Sequence, residues 1–271
     1  MLADTTVFDD IDARPGSAAS LLRTVIGLYL RRLGGWISAS DLVRLAADLG
    51  IADGQARTGI ARLKQKGLLI AERDGVPGYR LNPAAVAMLE RGDRRIFEMR
   101  EMTDADDWCL VSFSIPESAR GIRHQLRKRL RFIGAGTVSS ALWICPGRLQ
   151  DEVELILDDL DVRSWATLFR ASTPVPAGSL VDAAAAWWDL DALRAEHEGF
   201  QAALADLPEA PFPAYVRLID RWRVLPYTDP GLPPSMLPPR WPGRESFDGF
   251  ARLSQSLREP AWRHVRTATA R

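Results

Sequence analysis

A basic amphipathic helix pattern that runs directly into a hairpin pattern restricts the possible fold of this chain more than any other feature. At about 100° per residue, DGQARTGIARLKQKG places Ala56, Ile60 and Leu63 on one narrow apolar stripe, and Gly67 is suited to end the helix. The next residues, LLIAERDGVPGYRL, have strand character on both sides of Asp74-Gly75, a dipeptide that tolerates positive φ. This order predicts a winged helix, in which the helix enters a DNA major groove and the loop contacts the flanking backbone.

Two strands are predicted in the hairpin, Leu68–Arg73 and Gly78–Leu81. Because Pro77 cannot donate a ladder hydrogen bond, we expect it in the loop, whose tip then spans residues 73–78. Arg73 at this tip is a predicted contact with phosphate or with the minor groove.

The polar sides of the helix suit DNA, since Arg and Gln can read base edges and marginal cations can neutralise phosphates. The predicted DNA-binding residues are Gln55, Arg57, Thr58, Arg62, Lys64, Gln65, Lys66 and, on the hairpin, Arg73. The alternative is a solvated surface helix, which is what most basic amphipathic helices are.

The preceding residues complete the helix-turn-helix order. An apolar helix follows Ser20 and ends near Gly34-Gly35, Trp36-Ile37-Ser38 fits a short strand, and Ser40-Asp41 is suited to cap a second helix that stops at Gly50. After the hairpin, Asn82 is predicted to cap a helix over residues 83–100. These elements predict a winged helix-turn-helix domain over residues 17–101.

Charge and composition limit the function classes. The 271 residues are 46% hydrophobic and 26% charged, as in ordinary globular proteins, and a formal net charge of +0 argues against a generic polyanion binder. Residues 17–100 nevertheless hold 14 Lys/Arg against 8 Asp/Glu, a local excess of 14 − 8 = +6 that suits DNA. The first sixteen residues are acidic and lack a signal-peptide core, and no apolar run approaches ~20 residues, so we expect a cytoplasmic protein without a membrane partner.

The sequence predicts no catalytic site, metal site or cofactor. His124, His197 and His264 lie far apart without metal-ligand spacing, and phosphate-loop, dinucleotide-binding and nucleophile-elbow fingerprints are missing. Cys109 and Cys145 lie in predicted strands with apolar neighbours, which favours buried free thiols.

The middle third alternates between strand and helix patterns and predicts a ferredoxin-like α/β sandwich over residues 106–175. Its elements are a strand over 108–115, a helix over 117–132, one strand or a bent pair over 137–145, a helix over 149–159 and a strand over 163–171. The first helix carries six cations, Arg120, Arg123, Arg127, Lys128, Arg129 and Arg131. They could extend the DNA footprint, but we favour solvation and pairing with Asp151, Glu152 and Glu154.

The final third predicts a helical C-terminal domain over residues 180–271, which makes the whole chain α+β. Helices are expected over 180–207, as one or a pair, over 211–224 and over 247–257. The segment LPYTDPGLPPSMLPPRWPG is rich in Pro and Gly but carries apolar anchors, so we expect it to pack.

Several stretches together resemble the PaaX family of bacterial transcriptional repressors: ARTGIARLKQKGLL, YRLNPAAVAMLERGDRRIF, WCLVSFSIPESARGIRHQLRKRLRFIGAG, ALWICP and LPYTDPGLPPSMLPPRWPG. The resemblance runs from about Ser17 to near the C-terminus. It implies a homodimeric repressor, nucleoid-associated when bound to a double-stranded operator, with a winged helix, a Cas2-like central domain for dimerisation and a helical C-terminal domain. Founding members repress phenylacetate catabolic operons and leave DNA when an aryl-acetyl-CoA thioester such as phenylacetyl-CoA binds.

Two other functions are compatible with parts of the pattern. The Cas2 likeness raises a metal-dependent nuclease, but Ser112 and Ser114 stand where the resemblance would place a metal-binding aspartate, so we expect no enzyme. A scaffold could use the winged helix as a protein interface instead of binding DNA.

An acyl-CoA effector needs cations for its phosphates and an apolar pocket for its acyl end. The predicted effector-binding residues are Arg217, Arg221, Trp222, Arg223, Tyr227 and Trp187, with Trp188 beside them. Core packing explains the tryptophans equally well.

Overall fold

The computed structural model describes residues 14–98 and 100–270, so the acidic stretch before residue 14 lies outside the described part. Two compact units are formed. The first contains residues 14–98, 200–224 and 246–270, and the second contains residues 100–199 and 225–245. Each unit holds one small antiparallel sheet among helices, in agreement with the predicted α+β class.

The N-terminal part of the first unit has the predicted element order. Its elements are α1 (Ala18–Val25, continued by a π turn, Ile26–Leu30), β1 (Trp36–Ser38), α2 (Ala39–Asp48), α3 (Asp53–Gln65), β2 (Leu69–Asp74), β3 (Val76–Leu81) and α4 (Val86–Phe97). The strands form an antiparallel sheet in the order β1-β3-β2, with Trp36 opposite Arg80 and Leu69 opposite Leu81. Leu22 of α1 and Leu42 and Leu45 of α2 are fully buried in the core of this unit.

The hairpin is longer than its sequence suggested. Pro77 does not lie in the loop but in β3, opposite Arg73, and the turn is tightened to Gly75, whose φ is 67°. The pairing of β1 with β3 ends at Gly78, so at Pro77 the strand has a neighbour on one side only, where a missing N–H is tolerated.

Three helix boundaries also differ. Ser17, not Ser20, caps α1, since its side chain accepts from the Ser20 amide. Ser38, not Ser40-Asp41, caps α2, since its hydroxyl accepts from the Asp41 amide at 3.0 Å. Asn82 caps its helix as predicted, but α4 ends at Phe97. In each case the misjudged boundary shifts by only two or three residues.

The second unit has the predicted β-α-β-β-α-β order. It contains β4 (Trp108–Phe113), α5 (Arg120–Phe132), β5 (Gly136–Ser139), β6 (Leu142–Pro146), α6 (Gln150–Asp159) and β7 (Ala166–Ala171). The antiparallel sheet has the order β5-β6-β4-β7, so β4 is central and β7 is an edge. The predicted bent pair is a hairpin, and the last strand begins at Ala166 because residues 163–165 form a 3-10 turn.

The C-terminal third forms α7 (Leu180–Trp187), α8 (Leu190–Leu204), α9 (Pro211–Trp222), α10 (Leu225–Thr228) and α11 (Gly243–Ala268). Helix α11 does not end near Leu257 but runs for 26 residues through Pro260. A proline inside a helix costs about 3 kcal/mol, and burial of Phe250 before it and of Ala261 and Val265 after it offsets that cost.

The proline-rich segment packs, as predicted. Leu232 and Met236 are 2% and 1% exposed and belong to a core cluster with Trp108 and Trp188 in the second unit. No helix among the described residues is both long and apolar enough to cross a bilayer.

Candidate nucleic-acid interface

Helix α3 is anchored by the stripe that its sequence predicts. Ala56, Ile60 and Leu63 are 0%, 2% and 2% exposed. Gly59 is buried beside them, and a Cβ built there would lie 2.6 Å from the Leu22 Cδ1 atom of α1. Glycine therefore lets α3 lie directly against α1, which fixes the direction in which the opposite side of α3 points.

That opposite side is exposed. Of the residues predicted to contact DNA, Lys66 is half-buried and the others are exposed: Gln55, Arg57, Thr58, Arg62, Lys64, Gln65 and, on the hairpin, Arg73. The structure thus brings seven of the eight onto α3 and the turn that ends it. The polar row is therefore exposed on the side of α3 opposite the buried apolar stripe.

Two residues of this row are already tied to the first turn of α3. The Arg57 Nε atom donates to Asp53 Oδ2 at 2.9 Å, and this carboxylate raises the pKa of Arg57. The Thr58 hydroxyl donates to the Gly54 carbonyl at 2.9 Å. Solvent screens an exposed ion pair and leaves it with little net stability, so Arg57 can exchange Asp53 for a phosphate at little cost.

The end of α3 is joined tightly to the hairpin. Gly67 has a φ of 76°, and the Leu68 amide donates to the Leu63 carbonyl at 3.0 Å, which closes the C-terminal cap. The Asn82 side chain then donates to the Gly67 carbonyl at 2.7 Å. These bonds fix the start of β2 and the end of β3 relative to α3.

The hairpin projects with its own charged and apolar groups. Across its strands the Arg80 Nε atom donates to Glu72 Oε2 at 2.5 Å, while Arg73 is exposed near the turn. Ile70 and Val76 are also exposed, by 44% and 47%, and the sequence analysis did not single them out.

A buried polar network anchors α1 to α9, and the sequence analysis missed it. Asp220 is fully buried, and its carboxylate accepts from the Gly16 amide at 2.7 Å, the Ser20 hydroxyl at 2.5 Å and the Thr24 hydroxyl at 3.0 Å. Arg223 donates to Asp220 at 3.3 Å and to Ser20 at 2.8 Å. The network holds α1 in place, and α3 packs directly against α1 at Gly59. It therefore contributes to the position of the exposed polar row on α3.

The predicted effector residues are not brought into one unit. In the first unit, Trp222 is buried against Phe250 with ring centroids 4.6 Å apart, and its Nε1 atom donates to the Ile96 carbonyl. Arg217 donates to the Leu49 carbonyl at 2.9 Å, and Arg223 is buried in the Asp220 network.

The remaining candidates are more accessible. Arg221 is exposed in the first unit. In the second unit, half-buried Tyr227 stacks on Phe132 with centroids 5.4 Å apart, and half-buried Trp187 meets the edge of Trp188. Trp188 itself is a core residue whose Nε1 atom donates to the Gly134 carbonyl.

Serines stand at the end of β4, where a metal-dependent nuclease of the Cas2 type would need a metal-binding carboxylate. Ser112 lies opposite Leu142 on one side and Thr167 on the other, and Ser114 is exposed. Within the described ranges no group of three or more His, Cys, Asp or Glu side chains is arranged to hold a metal.

Two histidines have carboxylate partners that lie far away in sequence. The His197 Nε2 atom lies 2.8 Å from Asp229 Oδ2 in the second unit, and His264 Nε2 lies 2.7 Å from Asp48 Oδ2 in the first. His124 is exposed. No local spacing in the sequence indicates either pair.

Several cations of α5 are used within the second unit. Arg123 pairs with Glu117 at 2.7 Å, Arg129 pairs with Asp159, and Arg127 donates to the Ser140 carbonyl at 2.5 Å. Arg131 lies 5.8 Å from the ring centroid of Trp143. These contacts within the unit therefore engage four of the six cations, and the acidic partners are Glu117 for Arg123 and Asp159 for Arg129.

Comparison with known proteins places three family models along the chain. They are described as PaaX-like protein, matching residues 17–85, PaaX protein central Cas2-like domain, matching 101–181, and PaaX-like protein C-terminal domain, matching 188–267. The chain is 26% identical over 256 residues to a protein of Escherichia coli K12 called transcriptional repressor PaaX, with 89% of this chain and 80% of that protein covered.

A solved structure of an uncharacterised protein from Mycobacterium tuberculosis is also similar. Its TM-score is 0.57 at 26% identity, and the match covers 91% of this chain and 99% of the other. Consecutive family models over nearly the whole described chain, together with these relatives, show that this protein is a member of the PaaX family.

Proposed function

We propose that this protein is a DNA-binding transcriptional repressor in which α2, α3, β2 and β3 form a winged helix-turn-helix. The observation that carries the proposal is the exposed row of α3, which lies opposite the buried stripe of Ala56, Ile60 and Leu63. Recognition helices that enter the major groove pack on their own domain through one side and present polar and basic side chains on the other. Helix α3 has this arrangement. The Escherichia coli relative is called transcriptional repressor PaaX, which supports the same function.

The row divides by chemistry. Arg62 and Gln65 lie in the middle of the exposed side and are the candidates for base edges, since Arg recognises guanine and Gln recognises adenine in the major groove. Arg57, Lys64 and Lys66 are the candidates for phosphate contacts. The hairpin, with Arg73 near its turn, is the wing that contacts the flanking backbone or minor groove.

We further propose how an effector controls DNA binding. Two copies, joined through the central Cas2-like domain of residues 106–175, would place their α3 helices in successive major grooves of a palindromic operator upstream of an aromatic catabolic operon of the phenylacetate type. An acyl-CoA effector such as phenylacetyl-CoA would then favour a geometry that no longer fits both half-sites. We propose the bacterial cytoplasm as its location, on the nucleoid when bound.

For the effector site, exposure supports a proposal with three of the predicted residues. Arg221, Tyr227 and Trp187 are accessible enough to contact a ligand, whereas Trp222 and Arg223 are occupied inside the first unit. A thermal-shift screen of the full chain with acyl-CoA thioesters, each scored with free CoA as control, identifies the acyl group that binds.

The primary test is binding of the full chain to labelled duplexes from the regions upstream of the adjacent genes, measured by fluorescence anisotropy over a range of salt concentrations. A repressor of this kind binds one duplex in preference to a scrambled one and loses affinity steeply as salt rises, with a log-log slope near −0.9 for each phosphate neutralised. A scaffold would bind none of these duplexes at any salt concentration, and that result would refute the proposal.

A further inference from the structure

The two cysteines of the chain face each other across the centre of the second sheet. Cys109 of β4 is directly opposite Cys145 of β6, and both residues are buried thiols. Opposite residues point to the same face of a sheet, so the two side chains lie side by side.

The ladder around them fixes the type of pair. The Gly147 amide donates to the Asp107 carbonyl at 2.7 Å, and the Phe113 amide donates to the Ala141 carbonyl at 3.1 Å. Hydrogen-bonded pairs alternate along an antiparallel ladder, so the cysteines, two residues from Asp107 and Gly147, also occupy a hydrogen-bonded pair with Cα atoms about 5.5 Å apart. Cα separations in disulfides are usually about 5.5–6 Å, which this pair matches. The Cβ atoms of opposite residues stand about 4.5–5.5 Å apart, against roughly 3.8 Å in a disulfide, so the two strands must move slightly towards each other to accept a bond.

The surroundings of Cys109 lower the pKa of its thiol. Its hydrogen bond with Cys145 lowers the pKa of Cys109 by more than burial raises it. Arg170, opposite Cys109 on β7, lowers this pKa further, while Glu154 on α6 acts in the other direction. A lower pKa increases the thiolate fraction, and the thiolate is the nucleophile in thiol–disulfide exchange.

A cleft lies at the end of the two strands that carry the cysteines. Arg170 belongs to the edge strand, and its side chain is 65% exposed. It lines a cleft of about 570 Å³ together with Asp107, Pro146 and Gly147. Asp107 precedes Cys109 by two residues and Pro146 follows Cys145 directly, so a small solute in this cleft lies next to both cysteine-bearing strands.

We propose that Cys109 and Cys145 are a reversible oxidation site that takes low-molecular-weight disulfides. The Cys109 thiolate attacks one sulfur of the disulfide RSSR, and a mixed disulfide forms as one RS⁻ leaves. Cys145 then gives up its proton and attacks the Cys109 sulfur, which releases the second RS⁻. The net reaction converts two protein thiols and one RSSR into one protein disulfide and two RSH.

The test treats the native full chain with 2-hydroxyethyl disulfide and follows intact mass and thiol titration after denaturation. The wild type should lose both thiols, lose the mass of two hydrogens, remain monomeric on a non-reducing gel and recover both thiols with dithiothreitol. Cys145→Ala should instead accumulate the mixed disulfide at Cys109, because the resolving thiol is missing. The hydrogen bond between the two thiols is lost in either variant, but Cys109 keeps Arg170 opposite it, so Cys109→Ala should react more slowly than Cys145→Ala.

Other outcomes overturn the site. They are retention of both thiols in the folded wild type, oxidation only in denaturant, a disulfide between two copies, or equal trapping in the two variants. The wild-type mass measurement is independent of either substitution, so it decides the question even if a variant folds poorly. Circular dichroism of both variants confirms that their reactivity is measured on folded protein.

Discussion

The hydroxyl of Ser20 donates a 2.5 Å hydrogen bond to the carboxylate of Asp220, although 200 residues separate them in the chain. Both side chains are fully buried in the first unit. Ser20 lies on α1, and α1 supports α3 through the contact at Gly59. Helix α9, from the last third of the chain, therefore helps to hold the proposed DNA-recognition helix in position.

Replacing Asp220 with alanine should destabilise the first unit by about 3–5 kcal/mol, because Arg223 and two hydroxyls would lose their acceptor while remaining buried. The matched control is Asp206→Ala, since Asp206 is exposed in the same unit and should be near neutral. Urea unfolding followed by far-ultraviolet circular dichroism measures both. A loss below 1 kcal/mol for Asp220→Ala would show that the network is dispensable.

Two glycines of α3 should respond in opposite ways to alanine. At Gly59 the new Cβ would meet Leu22 Cδ1 at 2.6 Å, and Leu22 is fully buried, so we expect a loss of about 1–3 kcal/mol. At Gly54 nothing lies within 4 Å of the new atom, so the higher helix propensity of alanine should stabilise by up to about 1 kcal/mol. Thermal denaturation of the two variants gives the comparison, and equal effects would contradict the close approach of α1 and α3.

The sequence predicts those features whose cause is local. Periodicity identifies the stripe of Ala56, Ile60 and Leu63 because each residue acts through its own position on one helix. The Ser20–Asp220 pair has no such signal, since its partners meet only after the chain has folded. Pro77 and Pro260 show the same limit: local propensity argues against both positions, and long-range pairing or packing overrides it.

Arg62 should contribute to sequence recognition. Arg62→Ala is expected to weaken operator binding by about 1–3 kcal/mol and to reduce discrimination at one base pair, since the lost contact is to a base edge. The side chain is exposed, so the stability should not change. Arg252→Ala, an exposed arginine on α11, is the matched control and should bind as the wild type does. Wild-type affinity in Arg62→Ala would remove this residue from the reading side.

Arg73 should act differently, because it lies near the turn of the hairpin rather than on the reading helix. If it neutralises a phosphate, Arg73→Ala weakens binding equally for the operator and for single-base variants of it, and the log-log salt slope becomes less steep by about 1. Anisotropy titrations at several salt concentrations on this variant and on Arg62→Ala separate the two roles. An unchanged slope with a sequence-dependent loss would instead mean that the hairpin reads bases in the minor groove, where narrow A·T-rich segments attract arginine.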